Sequence, residues 1–149
     1  MTGTKPRRDL VHLLSRAEHF AVRRLAAALE DESAGCTIEQ WRVLNLLADG
    51  EGHTMTEVAD HALLPAPTAT KLVDRLVADT LVYRRPDPAD RRRVLVHIAD
   101  RGRELHARLA ATVDRVQSDV SSELGDESEL EALLDRVAEA FDPTASRRG

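Results

Sequence analysis

The segment that decides the fold is Leu81-Val-Tyr-Arg-Arg-Pro-Asp-Pro-Ala-Asp-Arg-Arg-Arg-Val-Leu-Val-His-Ile98. Its two ends, residues 81–85 and 94–98, are short stretches rich in the branched and aromatic residues that are typical of β-strands. The eight residues between them, 86–93, are turn formers and charged residues. This arrangement predicts a β-hairpin with an exposed tip.

Four helical segments precede the hairpin. Apolar residues recur at helical spacing in the first of them, and Thr37-Ile-Glu-Gln40 and Thr54-Met-Thr-Glu57 have the form of capping boxes that open the second and third. Pro65 and Pro67 suit the start of the fourth helix, where a missing backbone donor costs nothing. The predicted segments are about Leu10–Asp31, Thr37–Ala48, a short third helix with Val58, Ala59, Ala62 and Leu63 on its apolar face, and Ala66–Asp79.

Two helical segments follow the hairpin. A long helix is predicted after Gly102, Gly125 breaks it, and an apolar stripe from Leu130 to Phe141 marks the last helix. The sequence therefore predicts a mainly α chain, a winged helix-turn-helix in the order α-α-α-α-β-hairpin-α-α.

The charge is distributed unevenly along the chain. The formal net charge is −5, which argues against a wholesale polyanion binder, but residues 64–103 carry nine basic and five acidic side chains, a net +4. Residues 32–63 carry −5 and residues 114–142 carry −8. This asymmetry is able to direct one segment toward nucleic acid, although two solvated faces of opposite sign would give the same pattern.

Composition excludes several other classes of protein. The chain of 149 residues is the size of one domain, and its four aromatic residues are too few for a platform that stacks on RNA bases. Cys36 is the only cysteine, which excludes an intrachain disulfide framework and a cysteine-based zinc cage. Since no apolar segment is long enough to span a membrane and Met1–Arg8 lacks an apolar signal core, we expect a cytoplasmic protein without a membrane partner.

The second helix of a helix-turn-helix lies in the major groove with its first residues at the base edges. Here that helix begins Pro65-Ala-Pro-Thr-Ala-Thr-Lys71, which combines small residues, hydroxyls and a positive charge. Simple helix capping is the alternative interpretation of the threonines. The DNA-contacting candidates on the helices are Thr54, Thr56, Pro67, Thr68, Thr70, Lys71 and Arg75.

The hairpin tip concentrates arginine in a segment too short to bury it. An extended basic finger fits the minor groove of DNA, where the phosphates of both strands concentrate negative potential. Asp90 is placed to hold Arg92 in an extended rotamer by a charge-assisted pair. An ordinary solvated turn is the alternative. The candidates for DNA contact in the hairpin are Arg84, Arg91, Arg92 and Arg93.

Several of these motifs resemble the MarR family of bacterial transcriptional regulators. The stretches Leu72-Val-Asp-Arg-Leu76, Leu81-Val-Tyr-Arg84 and Pro86-Asp-Pro-Ala-Asp-Arg-Arg92, followed by Gly102, look like the family's core, and Thr37-Ile-Glu-Gln-Trp-Arg-Val-Leu44 is similar to its second-helix opening. The resemblance spans roughly residues 8–142. It implies that Asp90 orients Arg92 and that Arg92 enters the minor groove. In two departures, Thr80 replaces a usual Gly, and Ala99 replaces a Thr before the helix start at Gly102.

The resemblance also implies a homodimer joined by the terminal helices. The wide apolar stripes on residues 10–29 and 130–141 supply suitable surfaces for it, although packing within the monomer is the alternative. We therefore interpret residues 1–149 as a single subunit, with a winged helix-turn-helix DNA-binding lobe at 36–102 and dimerisation helices at 10–34 and 103–142. The expected partners are double-stranded DNA and a second copy of the chain.

A small aromatic or phenolic effector is a further expectation from the family, with Arg16, His19 and Trp41 as candidate contacts. The alternatives are a core position for Trp41 and an exposed or satisfied helix position for His19. Cys36 follows Gly35 in a loop, whereas the family's peroxide sensors carry their cysteine early in the first helix, so an inert thiol is favoured over redox sensing. Metal sensing through Cys36 and His106 is a minor alternative, and we expect neither a bound metal nor a cofactor. Since no catalytic motif is present, the sequence favours a repressor over an enzyme, and a winged-helix module that binds protein is the alternative.

Overall fold

The computed structural model of the chain describes residues 3–32 and 35–144. Within them there are six helices and one two-stranded antiparallel sheet, in the predicted order. The helices are α1 (Leu10–Glu32), α2 (Ile38–Leu47), α3 (Met55–Ala62), α4 (Ala66–Ala78), α5 (Asp100–Leu124) and α6 (Glu127–Phe141); the strands are β1 (Val82–Pro86) and β2 (Val94–Ile98). The prediction of a mainly α winged helix-turn-helix is confirmed.

The chain divides into two compact units, Met1–Val113 and Asp114–Gly149, with the boundary inside α5. The first unit holds α1 to α4, the hairpin and the first half of α5, and the second holds the remainder of α5 and α6. Each helix in the described ranges is too short or too polar to cross a lipid bilayer.

Local sequence signals set the helix starts of α2 and α3. The hydroxyl of Thr37 accepts a hydrogen bond from the Gln40 amide at 3.1 Å, and the Gln40 side chain accepts one from the Thr37 amide at 3.1 Å. The same reciprocal pair joins Thr54 and Glu57, at 3.2 and 3.0 Å. Both predicted capping boxes are therefore present, and each satisfies backbone donors that the helix itself leaves free.

The start of α5 was predicted wrongly. The helix begins at Asp100, so Gly102 lies inside its first turn and not ahead of it. A side chain at position 102 would bring its Cβ to 2.1 Å from the carbonyl oxygen of Leu81, a separation that no Cβ can occupy. Gly102 is thus required by the close approach of α5 to the segment that enters β1, and not by a helix cap.

The core of the first unit lies where α2, α3 and α4 pack against the hairpin. Val43, Leu44 and Leu47 of α2 are fully buried there, and every other helix of this unit adds to the same cluster. The remaining fully or nearly buried members are Leu29, Ile38, Trp41, Val58, Ala62, Val73, Leu76, Val82, Val96, Ile98 and Leu109. The apolar face of α4 therefore packs into this core, and the opposite face of the helix lies at the surface.

The hairpin pairs β1 and β2 in antiparallel register, with Val82 opposite Ile98 and Pro86 opposite Val94. Val82, Val96 and Ile98 are buried, and the arginines of the tip are exposed. A short bridge between His53 and Val96 adds the loop before α3 to the free edge of β2. The predicted hairpin is confirmed, with its first strand one residue later than expected.

Leu63 was predicted to lie on the buried face of α3, and this is wrong. It caps the C-terminus of α3 in the left-handed conformation (φ 59°) and its side chain is 73% exposed. Its amide donates to Asp60 O at 3.3 Å, and the next amide, of Leu64, donates to Ala59 O at 3.0 Å. These bonds form a helix C-cap of the kind in which glycine is the preferred residue.

Replacing Leu63 by glycine is expected to stabilise the protein. A left-handed conformation costs an ordinary residue about 1–2 kcal/mol, and this exceeds the added unfolded-state entropy of glycine, about 0.5–1 kcal/mol. We expect Leu63→Gly to raise the free energy of unfolding by about 0.5–1 kcal/mol in urea titrations. His61→Gly, at an exposed position inside α3, is the matched control and should lower it by a similar amount. A loss of stability in both variants would contradict the explanation.

Candidate nucleic-acid interface

The exposed face of α4 carries most of the candidates that were predicted on the helices. Pro65 precedes the helix without a side-chain cap, and Pro67, Thr68 and Lys71 are exposed. Thr70 is exposed as well, but its hydroxyl donates to Ala66 O at 3.0 Å. The first two turns of α4 thus present small side chains, a free threonine hydroxyl and one ammonium group to solvent.

Two cationic side chains follow one another along α4. Lys71 and Arg75 are one helical turn apart and both are exposed. Arg75 Nε lies 4.0 Å from Asp79 Oδ2, at the limit of an ion pair, and an exposed pair of this kind contributes little to stability. Arg75 therefore remains available to an anionic partner.

The start of α3 presents Thr54 and Thr56. Thr54 is half-buried and its hydroxyl is engaged in the capping box with Glu57, whereas Thr56 is exposed. Capping, the alternative interpretation for threonines at helix starts, accounts fully for Thr54. Only Thr56 has a hydroxyl that is free of that role.

The hairpin tip is ordered by two aspartates. Asp87 Oδ1 accepts from the Ala89 amide at 2.9 Å, and Asp90 Oδ1 accepts from the Arg92 amide at 3.1 Å. The tip is closed by two backbone bonds, from Arg93 N to Asp90 O and from Asp87 N to Arg93 O, both 2.9 Å. A turn of charged residues is therefore held in one conformation by its own side chains.

Arg91, Arg92 and Arg93 project from this tip as three consecutive exposed arginines. The side chain of Arg92 is 94% exposed, and its Nε lies 3.6 Å from Asp90 Oδ1. Asp90 thus contacts both the amide and the guanidinium of Arg92. This is the contact that the sequence suggested for the orientation of Arg92.

Arg84 differs from the other candidates because it has a close partner. Its Nη2 lies 2.5 Å from Asp74 Oδ1, and its side chain is only 32% exposed. The pair connects β1 to α4 and was not foreseen from the sequence, although both residues lie in motifs singled out there. A charge-assisted bond at this distance fixes the hairpin relative to the exposed face of α4.

A stacked group on the outer face of the hairpin was also missed. The rings of Tyr83 and His97 stack at 5.2 Å with 11° between their planes, and the Arg85 guanidinium lies 5.5 Å from the Tyr83 ring centre. The alternation of strand residues was the available signal, since it places Tyr83 and Arg85 on one face. The stack orders Arg85, which the sequence left without a role.

The effector candidates are placed in two different environments. Arg16 and His19 lie on the exposed surface of α1 around Phe20, at 5.4 and 5.2 Å from its ring. Trp41 is buried in the core and stacks on His106 at 5.1 Å with 5° between the planes. His106 Nε2 lies 3.0 Å from Asn45 Oδ1, and burial lowers the pKa of His106, which favours a neutral ring there.

Cys36 is half-buried and lines a cavity of about 710 Å³, together with side chains from the start of α2, the end of α4 and the first turns of α5. Arg75, Arg101 and Arg108 lie on its walls. Among the residues that the structure describes, no three His, Cys, Asp or Glu side chains are grouped so as to hold a metal ion.

The fold and the basic tip define a winged-helix protein. A profile of the MarR family matches residues 34–93. FarR of Neisseria gonorrhoeae, an HTH-type transcriptional regulator, is 31% identical over 106 residues, which are 71% of this chain and 72% of FarR.

Solved structures show the same relationship over nearly the whole chain. The PcaV transcriptional regulator of Streptomyces coelicolor, in complex with its natural ligand, is 26% identical with a TM-score of 0.74, covering 95% of this chain and 100% of PcaV. The transcriptional repressor CouR, bound to a 23-mer DNA duplex, is 27% identical with a TM-score of 0.67, covering 94% and 100%. The chain belongs to the MarR family and is a DNA-binding transcriptional regulator.

The pair between Asp74 and Arg84 is expected to couple the hairpin to α4 measurably. Asp74 is 60% exposed, so solvent weakens its ion pair with Arg84. We therefore expect Asp74→Asn to lower the free energy of unfolding by only about 0.5–1 kcal/mol. Urea titrations of Asp74→Asn, Arg84→Gln and the double variant measure the coupling, which should shrink in high salt. Asp79→Asn, which removes the long pair with Arg75, is the control and should change stability less. Additive effects of the two single changes would show that the pair contributes nothing.

Proposed function

We propose that the protein is a homodimeric repressor that binds a near-palindromic operator and responds to a small-molecule effector. The observation that carries the proposal is the hairpin tip, where three exposed arginines stand on a turn ordered by Asp87 and Asp90. A pre-ordered turn loses less conformational entropy on binding than a flexible one. The relatives that support this function are transcriptional regulators, and we propose a regulator and not an enzyme.

In this proposal α4 enters the major groove and the tip reaches the adjacent minor groove. We assign Arg92 as the central minor-groove contact because its side chain is 94% exposed and Asp90 contacts both its amide and its guanidinium. Asp90 is the orienting residue. The proposed DNA contacts are Thr54, Thr56, Pro67, Thr68, Thr70, Lys71, Arg75, Arg84, Arg91, Arg92 and Arg93.

These contacts are not equivalent. Thr54 and Thr70 already donate or accept within their helices, so their contribution to DNA affinity is expected to be small. Arg84 acts mainly through its pair with Asp74, which sets the position of the hairpin. The exposed cations Lys71, Arg75 and Arg92 supply the phosphate attraction, which makes the affinity fall as salt rises.

The dimer is proposed from apolar side chains that a monomer leaves in water. On α1 the large exposed residues are Leu10, Val11, Leu13 and Phe20, and on α6 they are Leu130, Leu133, Leu134 and Phe141. Exposed apolar surfaces of this kind mark association sites. We propose that residues 10–34 and 103–142 form the dimerisation region and that 36–102 is the DNA-binding lobe. Two-fold symmetry then spaces two α4 helices by about 34 Å, one turn of DNA.

The effector is proposed to be a small aromatic or phenolic molecule that contacts Arg16, His19 or Trp41. The complex of PcaV with its natural ligand supports a ligand-responsive mechanism. Arg16 and His19 offer an exposed cation and an exposed imidazole for this contact. Trp41 stacks on His106. The protein is proposed to act in the cytoplasm, where bacterial operators lie.

Sensing through Cys36 is the second candidate, since its thiol lines a cavity that small oxidants can enter. Peroxide treatment of the wild-type protein and of Cys36→Ser separates it from the main proposal. If the thiol is inert, both proteins keep their DNA affinity after treatment. A peroxide-dependent loss confined to the wild type would favour redox sensing.

Arg92→Ala is expected to weaken binding to DNA selected by the wild-type protein from a random-sequence pool. The loss should be about 1–3 kcal/mol, or roughly 5- to 150-fold in Kd, because the minor-groove contact is lost. Fluorescence anisotropy at several salt concentrations measures it. Arg103→Ala, which removes an exposed arginine of α5 outside the tip, is the matched control and should change Kd less than about twofold. Equal losses in both would indicate a general charge effect, and an absence of salt-dependent binding by the wild type would favour the protein-interaction module.

Leu133→Glu is expected to dissociate the dimer while leaving the monomer folded. Leu133 is an exposed apolar residue of α6, and a buried unpaired carboxylate at a two-fold interface is strongly unfavourable. Analytical ultracentrifugation and circular dichroism measure mass and helicity. Val94→Glu introduces the same charge at an exposed apolar position of the hairpin and should remain dimeric. If Leu133→Glu sediments as a dimer, α6 does not supply the interface.

A further inference from the structure

The loop between α2 and α3 contains a half-buried histidine, His53. The side chain of His53 is 15% exposed, and both of its ring nitrogens face carboxylates. Nε2 lies 2.8 Å from Asp49 Oδ2, just beyond the end of α2, and Nδ1 lies 3.2 Å from Glu57 Oε2, in the first turn of α3. The imidazole therefore links two helices through their acidic side chains.

Each of the two carboxylates is fixed by a further bond. Asp49 Oδ1 accepts from the Glu51 amide at 2.8 Å, which closes the turn after α2. Glu57 Oε2 also accepts from the Thr54 amide at 3.0 Å, as part of the capping box. The ring of His53 is thus held between two acceptors whose positions are already determined.

The backbone of His53 joins the same loop to the hairpin. Its amide donates to Val96 O at 3.0 Å, and its carbonyl accepts from the Val96 amide at 2.8 Å. The preceding residue, Gly52, passes so close to β2 that a Cβ would meet the His97 ring at 2.6 Å and Leu95 Cδ1 at 2.9 Å. His53 therefore meets α2, α3 and β2 at one point.

We propose that His53 is a positioning residue for DNA binding, which in its doubly protonated form fastens the arginine-tipped hairpin to the helix-turn-helix. This inference rests on the proposed contact between the hairpin tip and DNA. Release of the junction allows the tip to move relative to α4, so that both can no longer meet their grooves at once. A misplacement of this kind weakens binding without removing any DNA-contacting side chain.

The form of the ring follows from its two partners. A neutral imidazole carries one N–H and donates to only one carboxylate, whereas the imidazolium donates to both. The ionisable groups that contact the ring are Asp49 beyond α2 and Glu57 on α3. On β2, the His97 ring lies against the neighbouring residue Gly52. Partial burial acts to raise the pKa of Asp49, but hydrogen bonds from the Glu51 amide and His53 and the charge of His53 hold it below its ordinary value. Asp49 is therefore a carboxylate throughout the range in which histidines titrate.

The test measures Kd for a DNA duplex selected by the wild-type protein, with intact dimers at about pH 6 and about pH 8 and constant ionic strength. At the lower pH the wild type should bind the duplex roughly three- to tenfold more tightly than His53→Gln. At the higher pH the ratio of their Kd values should be smaller. His61→Gln, which replaces an exposed histidine of α3, is the matched control and should follow the wild type. Equal affinity of His53→Gln and the wild type at both pH values would overturn the proposal.

Two further measurements separate positioning from a general loss of stability. Asp49→Asn and Glu57→Gln keep the shape of the junction but remove a charge, and each should reduce the pH dependence of Kd. Hydrogen exchange at the Val96 amide should accelerate in His53→Gln while exchange in the core of α2 stays protected. Unchanged pH dependence in both carboxylate variants, or uniformly faster exchange, would overturn the assignment. Arg92→Ala tests the proposed DNA contact separately. If the wild type binds DNA and Arg92→Ala binds it with the same affinity, the contact between the hairpin tip and DNA is wrong.

Discussion

The candidate DNA interface depends on the burial of one face of the hairpin against the helices. A two-stranded hairpin is marginally stable by itself in water, so its conformation must come from packing. Val82, Val96 and Ile98 provide it, because burial of each such side chain contributes about 1.5–3 kcal/mol. On the far side the absence of a side chain at Gly102 lets α5 approach the Leu81 carbonyl, which accepts from the Ala99 amide at 3.0 Å. The exposed tip therefore extends from a buried base.

The net charge of the chain is negative, whereas the hairpin tip is positively charged. The chain carries −5 overall, while residues 64–103 carry +4 between segments of −5 and −8. The acidic segments repel phosphate, and we therefore propose that the basic segment is the part that faces a duplex. We therefore expect weak non-specific attraction to DNA, with discrimination arising from the proposed fit of α4 and the tip. The net charge taken as a total argues against DNA binding, whereas its distribution along the chain is consistent with the proposed orientation.

The features that could be predicted from the sequence are those that local chemistry determines. Both capping boxes, the hairpin and the three exposed arginines follow from residues within a few positions of one another. The predictions that were wrong concern residues whose environment is set by the folded structure and not by their neighbours in the sequence. The sequence predicts a helix after Gly102, but glycine is required at this position by the carbonyl of Leu81, about twenty positions away in the chain. Leu63 was assigned to a buried face by periodicity, although the helix had ended and the chain had turned.

The same distinction applies within the candidate interface. The tip and its ordering aspartates are contiguous in sequence, so they could be identified together. The pair of Asp74 with Arg84 joins residues ten positions apart across two elements, and His53 meets Val96 across the fold. No spacing rule in the sequence links these partners, because only the packing of the hairpin brings them together. The residues that position the interface were therefore harder to find than those that form it.

The two ends of α4 show how the chain offsets backbone strain near the interface. Both are flanked by a non-glycine residue in the left-handed region, Leu63 before the helix and Thr80 after it, at φ 59° and 60°. Thr80 stands where the family usually has glycine, yet its hydroxyl donates to Asp79 O at 2.6 Å and accepts from Arg101 Nη1 at 3.2 Å. Glycine would relieve the strain but would lose both bonds, including the one that connects the end of α4 to α5. Leu63 has an exposed apolar side chain and only backbone bonds at its cap, so its strain is not offset in this way. The left-handed conformation of Thr80 is therefore offset by hydrogen bonds that connect α4 to α5, whereas that of Leu63 destabilises the fold.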